Sequence, residues 1–126
     1  PTLDAQFAQA ELKKILLNNP PYNAEITLEF EEPASGWNAP ALQPWLKEAV
    51  QKASNAIYNK NALYMGEGGT IPFMGMLGEA FPNAQFVITG VLGPKSNAHG
   101  PNEFLHIPYA EKLTASIIMI ISDFPN

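Results

Sequence analysis

Beyond Trp37 the spacing of apolar residues switches repeatedly between a helical period and short apolar runs, and this alternation narrows the possible folds more than any other feature. Leu42, Trp45, Leu46, Ala49, Val50, Ala53 and Ile57 mark a long helix, with Pro44 tolerated in its first turn. Residues 62–65 read as a short strand. Thr70 then caps another helix, with Pro72 early in it and Phe73, Met76 and Leu77 on one face. Residues 85–92 form a mostly apolar run, the pattern of a strand covered on both faces. Pro108 opens a last helix bearing Leu113, Ile117, Ile118 and Ile121. Such alternation predicts an α/β domain whose two strands run parallel in a parallel or mixed sheet.

The front of the chain is a smaller unit of helix and strand. Thr2 is placed as an N-cap, with Asp4 in the first turn, where the helix dipole favours a carboxylate. Leu3, Phe7, Leu12, Ile15 and Leu16 follow at helical spacing, and Asn18-Asn19-Pro20-Pro21 stops that helix. Ala24, Ile26, Leu28 and Phe30 then alternate with Glu25, Thr27, Glu29 and Glu31, as in a strand buried on one face. This unit is too small to stand alone and needs a partner sheet. The turn-rich stretch from Glu32 to Pro40 is a domain boundary by composition, which divides the chain into 1–36 and 37–126.

Charge and composition remove whole classes of function. Seven Lys and Arg against twelve Asp and Glu give a net charge of −5 with no basic run, which argues against nucleic-acid binding. The absence of cysteine excludes a disulfide framework and a thiolate zinc site, and fits a reducing compartment. The longest apolar run, Ile117 to Ile121, is far too short to span a membrane. No signal-like segment and no initiator methionine precede Thr2. The expectation is a soluble, cytoplasmic protein, with Pro1 not the start of its natural chain.

Two motifs carry chemistry. In Gly66-Glu67-Gly68-Gly69-Thr70-Ile71-Pro72, a strand end meets glycines and a helix N-terminus, a geometry that aims free backbone N–H groups at an anion. A carboxylate or phosphate suits it; equally, the glycines serve simply to turn the chain into the helix. In Asn97-Ala98-His99-Gly100-Pro101-Asn102-Glu103, a histidine sits in a Gly/Pro-restricted loop beyond the C-terminal end of the second strand, where open α/β sheets place ligands. His99 is a candidate metal ligand, and Glu103 a candidate acceptor for its ring N–H. The bland alternative for His99 is a surface histidine that caps a turn. His106, between Leu105 and Ile107, reads as a packing histidine. A zinc site needs three or four protein ligands, so one histidine makes no self-sufficient active site.

Glu67-Gly68-Gly69-Thr70-Ile71-Pro72, then Phe81-Pro82, then Ala98-His99-Gly100-Pro101-Asn102-Glu103, resemble the C-terminal end of the di-zinc metallopeptidase family of carnosine dipeptidase, acetylornithine deacetylase, aminoacylase and glutamate carboxypeptidase. Pro1-Thr2-Leu3-Asp4-Ala5 and the alternating segment resemble the second half of that family's lid, or dimerisation, domain. The resemblance implies an architecture: the C-terminal part of a mixed-sheet catalytic domain, preceded by the helix-strand half of an α+β lid. It implies that His99 is the last protein ligand around two zinc ions, and that Gly68, Gly69 and Thr70 contact the substrate's terminal carboxylate. The remaining ligands, the glutamate base and the lid arginine that grips substrate would lie upstream of this chain. Many relatives carry arginine where this chain has Gly66, which puts substrate preference in doubt.

The expected function is therefore that of a C-terminal fragment of a zinc-dependent hydrolase cleaving dipeptides or N-acyl amino acids, the isolated chain being inactive and binding zinc weakly or not at all. Its expected partners are that small substrate, the N-terminal part of the same protein and a second copy in a homodimer. The alternative is a non-catalytic dimerisation or binding module, pairing through the edge of the alternating segment.

Overall fold

The structure is a computed structural model that describes residues 2–66 and 72–125. Four α-helices account for its regular structure: α1 (Ala5–Leu17), α2 (Pro44–Tyr58), α3 (Pro72–Ala80) and α4 (Ile107–Ser122), with a short 3-10 turn at Pro21–Asn23. Among the described residues there is no β-strand. The expected α/β architecture, a mixed-sheet domain preceded by a helix-strand half of an α+β lid, is thus overturned. Residues 24–31, 62–65 and 85–92, each expected to be a strand, belong to no ladder.

The reason is visible in what the alternating pattern does specify. Ile26 and Leu28 are half-buried while Glu25, Thr27 and Glu29 are exposed, so the period-two division of faces is present. A strand also requires a neighbour whose backbone groups pair with its own. Here side-chain amides stand in that place. The Gln51 side chain donates to the Ala62 carbonyl (3.1 Å) and accepts from the Ala62 N–H (3.2 Å), supplying both bonds that an adjacent strand would supply. Gln9 likewise donates to the Glu31 carbonyl at 3.0 Å.

The chain divides into two compact units, Pro1–Ala39 with Gly66–Ala84, and Pro40–Met65 with Gln85–Asn126. In the first, α1 is capped by Asp4, whose carboxylate accepts from the Phe7 N–H at 2.7 Å; the cap is Asp4, not Thr2. The helix ends at Leu17, as the Asn-Asn-Pro-Pro signal predicts. None of its residues is buried, and Leu3, Phe7 and Ile15 are each at least 60% exposed. Helix α3 meets Trp37 across glycines. A Cβ added at Gly78 would lie 2.9 Å from the Trp37 indole nitrogen, so the bare backbone is what lets the ring approach. Of Phe73, Met76 and Leu77, expected on one face of α3, Leu77 is half-buried while Phe73 and Met76 remain more than half exposed.

The second unit holds the core. Leu46, Ala49 and Ala53 of α2 and Ile120 of α4 are buried together, flanked by Leu42, Trp45, Val50, Ile117 and Met119. Pro44 sits in the first turn of α2, where its missing N–H costs no intrahelical bond. Asn59 closes the other end in the left-handed region at φ 56°, a conformation asparagine tolerates. Trp45 and Phe124 stack edge to face with centroids 5.1 Å apart. Lys52 bonds both carboxylate oxygens of Asp123 at 2.8 Å, but its side chain is 60% exposed, so the pair contributes less than about 1 kcal/mol. Among the described residues no helix is long and apolar enough to cross a membrane.

The burial pattern separates two leucines that the helical periodicity treats alike. Leu46→Ala is expected to cost about 2–5 kcal/mol in denaturant unfolding, because Leu46 is 1% exposed at the α2–α4 contact. Leu12→Ala, at a site 49% exposed, is expected to stay within about 0.5 kcal/mol of the parent. Equal costs at the two sites would contradict the assigned core.

Candidate functional site

His99 lies in the connection between residues 85–92 and α4, and this connection is built by hydrogen bonds. Ser96 is 3% exposed. Its N–H and Oγ both donate to the Gly93 carbonyl, at 3.3 and 2.9 Å, which makes a tight turn at the loop's start. The Phe104 N–H donates to the Ser96 carbonyl at 3.1 Å and closes the mouth of the loop. Inside that closure the Gly100 N–H donates to the Asn97 carbonyl at 2.9 Å, and Asn97 Nδ2 donates to the Pro101 carbonyl at 2.7 Å.

Four non-glycine residues of this stretch occupy the left-handed region: Lys95 (φ 63°), Asn97 (φ 56°), His99 (φ 60°) and Asn102 (φ 58°). Asparagine tolerates that conformation well, while for lysine and histidine it is uncommon. The loop's internal bonds therefore hold His99 in a conformation that an isolated peptide would seldom choose. The side chain itself is exposed.

Glu103 also lies in this loop, and its Oε2 accepts from the backbone N–H of His99 at 3.1 Å. The expectation gave Glu103 the ring N–H; the bond present is to the main chain. Gly68, Gly69 and Thr70, the expected carboxylate-binding turn, lie outside the described residues. Among the described residues no three His, Asp or Glu side chains are grouped to hold a metal ion. Zinc is the group this loop was expected to serve, and the fit is partial: His99 presents one accessible imidazole of the type that zinc takes, and among the described residues it belongs to no group of three or more ligand side chains.

His106 has a role beyond the packing expected of it. Its Nδ1 accepts from the Tyr109 N–H at 3.1 Å, so it is the N-cap of α4. A Cβ at Gly93 would overlap His106 Cβ, so the turn that starts the loop packs directly against the cap that ends it. The residues that sequence spacing missed are thus Ser96, Asn97 and Gly93, which shape the loop without bearing its chemistry. The density of Asn, Gly and Pro from Gly93 to Asn102 was the available signal, and it points to turns without saying which side chains close them.

No protein-family model matches the chain. Over 88% of its length it is 32% identical to a cysteinylglycine-S-conjugate dipeptidase of Corynebacterium striatum. It spans only 28% of that relative's length. The chain is a distant homologue of part of a dipeptidase, in agreement with the peptidase resemblance of its two motifs.

The Gly93–His106 contact is testable without reference to activity. Gly93→Ala is expected to destabilise the chain by about 1–3 kcal/mol through overlap with the α4 cap. Gly90→Ala, where an added Cβ meets nothing within 4 Å, serves as the control and is expected within about 0.5 kcal/mol of the parent. Chemical denaturation distinguishes them, and a neutral Gly93→Ala would dismiss the contact.

Proposed function

We infer that this chain is the C-terminal part of a metal-dependent peptidase acting on dipeptides or N-acyl amino acids, and that it is inactive without the rest of that protein. The observation that carries this reading is the 32% identity to a dipeptidase over 88% of the chain. Since 28% of that relative is covered, the general base and the other metal ligands belong in this reading to the remaining part.

The roles of the chain's own residues follow from their chemistry. Gly68, Gly69 and Thr70 receive the substrate's free carboxylate on backbone N–H groups and a hydroxyl. Dipeptides and N-acyl amino acids share that carboxylate, and anchoring it selects which amide is presented for cleavage. His99 contributes one imidazole to zinc, and the exposed ring on a closed loop supports this role. A zinc ion held in part by His99 would supply Lewis-acid polarisation of the amide carbonyl and a more acidic water. Glu103 acts on the loop, through the His99 N–H, and not on the substrate. Residues 1–36 fall in a lid or dimerisation domain in this reading. The largely exposed Leu3, just before α1, and Phe7 and Ile15 within it favour a second copy as a partner, which light scattering of the longer protein tests.

In the longer protein, His99→Ala is expected to lose one zinc ion by metal analysis and most of its turnover of a dipeptide, with its circular dichroism retained. Unchanged metal content and turnover would sink the reading. Amidation of the dipeptide's C-terminus is expected to raise KM more than it lowers kcat, as loss of a carboxylate anchor requires.

A further inference from the structure

We propose that Asn97 is a positioning residue that clamps the loop and fixes the direction in which His99 is presented. The Asn97 side chain reaches across four residues to the Pro101 carbonyl at 2.7 Å, the shortest hydrogen bond in the loop. His99 lies inside the span that this bond closes. Asn97 itself occupies the left-handed region at φ 56°, which asparagine accepts and most other residues that could donate the same bond do not.

Gly100 completes the clamp. A Cβ there would lie 2.6 Å from Asn97 Nδ2 and 2.9 Å from its Cγ and Oδ1. The Asn97 amide therefore lies across the loop in space that any other residue at 100 would occupy. One hydrogen bond thus accounts for the residue types at both positions, and the Gly100 N–H returns to the Asn97 carbonyl at 2.9 Å. The backbone of His99 is tied on both sides, forward to Glu103 through its own N–H and around it by the Asn97–Pro101 bond. A ligand whose backbone is already fixed loses little conformational freedom when it binds, which is the use of such a clamp.

That use rests on the reading of His99 as a zinc ligand; the clamp itself does not. Asn97→Asp keeps the size and the tolerance of positive φ but removes the donor. Amide hydrogen exchange on the chain is expected to accelerate about tenfold at His99 and Gly100 in Asn97→Asp, matching the loss of one hydrogen bond, while α2 and α4 amides exchange as in the parent. Asn97→Gly, which keeps the backbone freedom alone, is expected to behave the same way. Unchanged exchange at His99 and Gly100 overturns the clamp. In the longer protein, zinc affinity is expected to fall by about 10- to 100-fold in Asn97→Asp. Faster exchange with unaltered zinc affinity, in a protein where His99→Ala does lose zinc, overturns the positioning role. If His99→Ala itself keeps its zinc, the metal reading fails and the exchange result alone decides the clamp.

Discussion

Ala49 and Ala53 carry so little side chain that α2 lies directly against α4, with Leu46 and Ile120 filling the seam, and the second unit depends on this contact. Both helix ends are tied to the chain that leaves them. Asn59 ends α2 in a left-handed turn, and Gln51 holds the returning chain at Ala62. His106 begins α4 by capping it, and Gly93 packs against that cap. The His99 loop is the segment between Gly93 and His106. Its two ends are fixed at the helix that brings Ile120 to the core, so a small buried cluster is sufficient to support a structured loop on the surface.

The loop has two layers of control. Ser96 closes its base, with its backbone and hydroxyl on one carbonyl and its own carbonyl bonded to Phe104. Asn97 and Glu103 then restrain its interior around His99. Lys95 and His99 seldom adopt the left-handed region unaided, and the cross-loop bonds around His99 offset its cost there. This division explains why Ser96, Asn97 and Glu103 are engaged with main chain, while His99 is exposed.

Much of the helical structure was legible in the sequence because helices satisfy their backbone bonds locally. The Pro44 and Pro108 starts, the Asn18-Asn19-Pro20-Pro21 stop, and the Leu46, Ala49 and Ala53 stripe all follow from spacing and cap chemistry. Strands are different, because alternation shows which side chains share a face and says nothing about whether a neighbour is present to pair. Ile26 and Leu28 keep their inward face without a ladder, and at Ala62 a glutamine side chain takes the neighbour's place. The same limit applied to His106. Flanking apolar residues suggest packing, but only the position of the Tyr109 N–H reveals a cap. In the candidate site, the turn chemistry around His99 was readable, whereas the Asn97–Pro101 bond depends on a backbone path that residue types alone do not determine.

Native-state hydrogen exchange along residues 44–58 and 85–123 tests most directly whether the α2–α4 pair, and not a sheet, supports the His99 loop. The account predicts that the slowest amides lie in α2 and α4 and open together, that Ser96, Gly100 and Phe104 are protected within the loop, and that residues 85–92 show no alternating protection. Alternate amides of residues 85–92 protected as strongly as the two helices would reveal a strand ladder and contradict it.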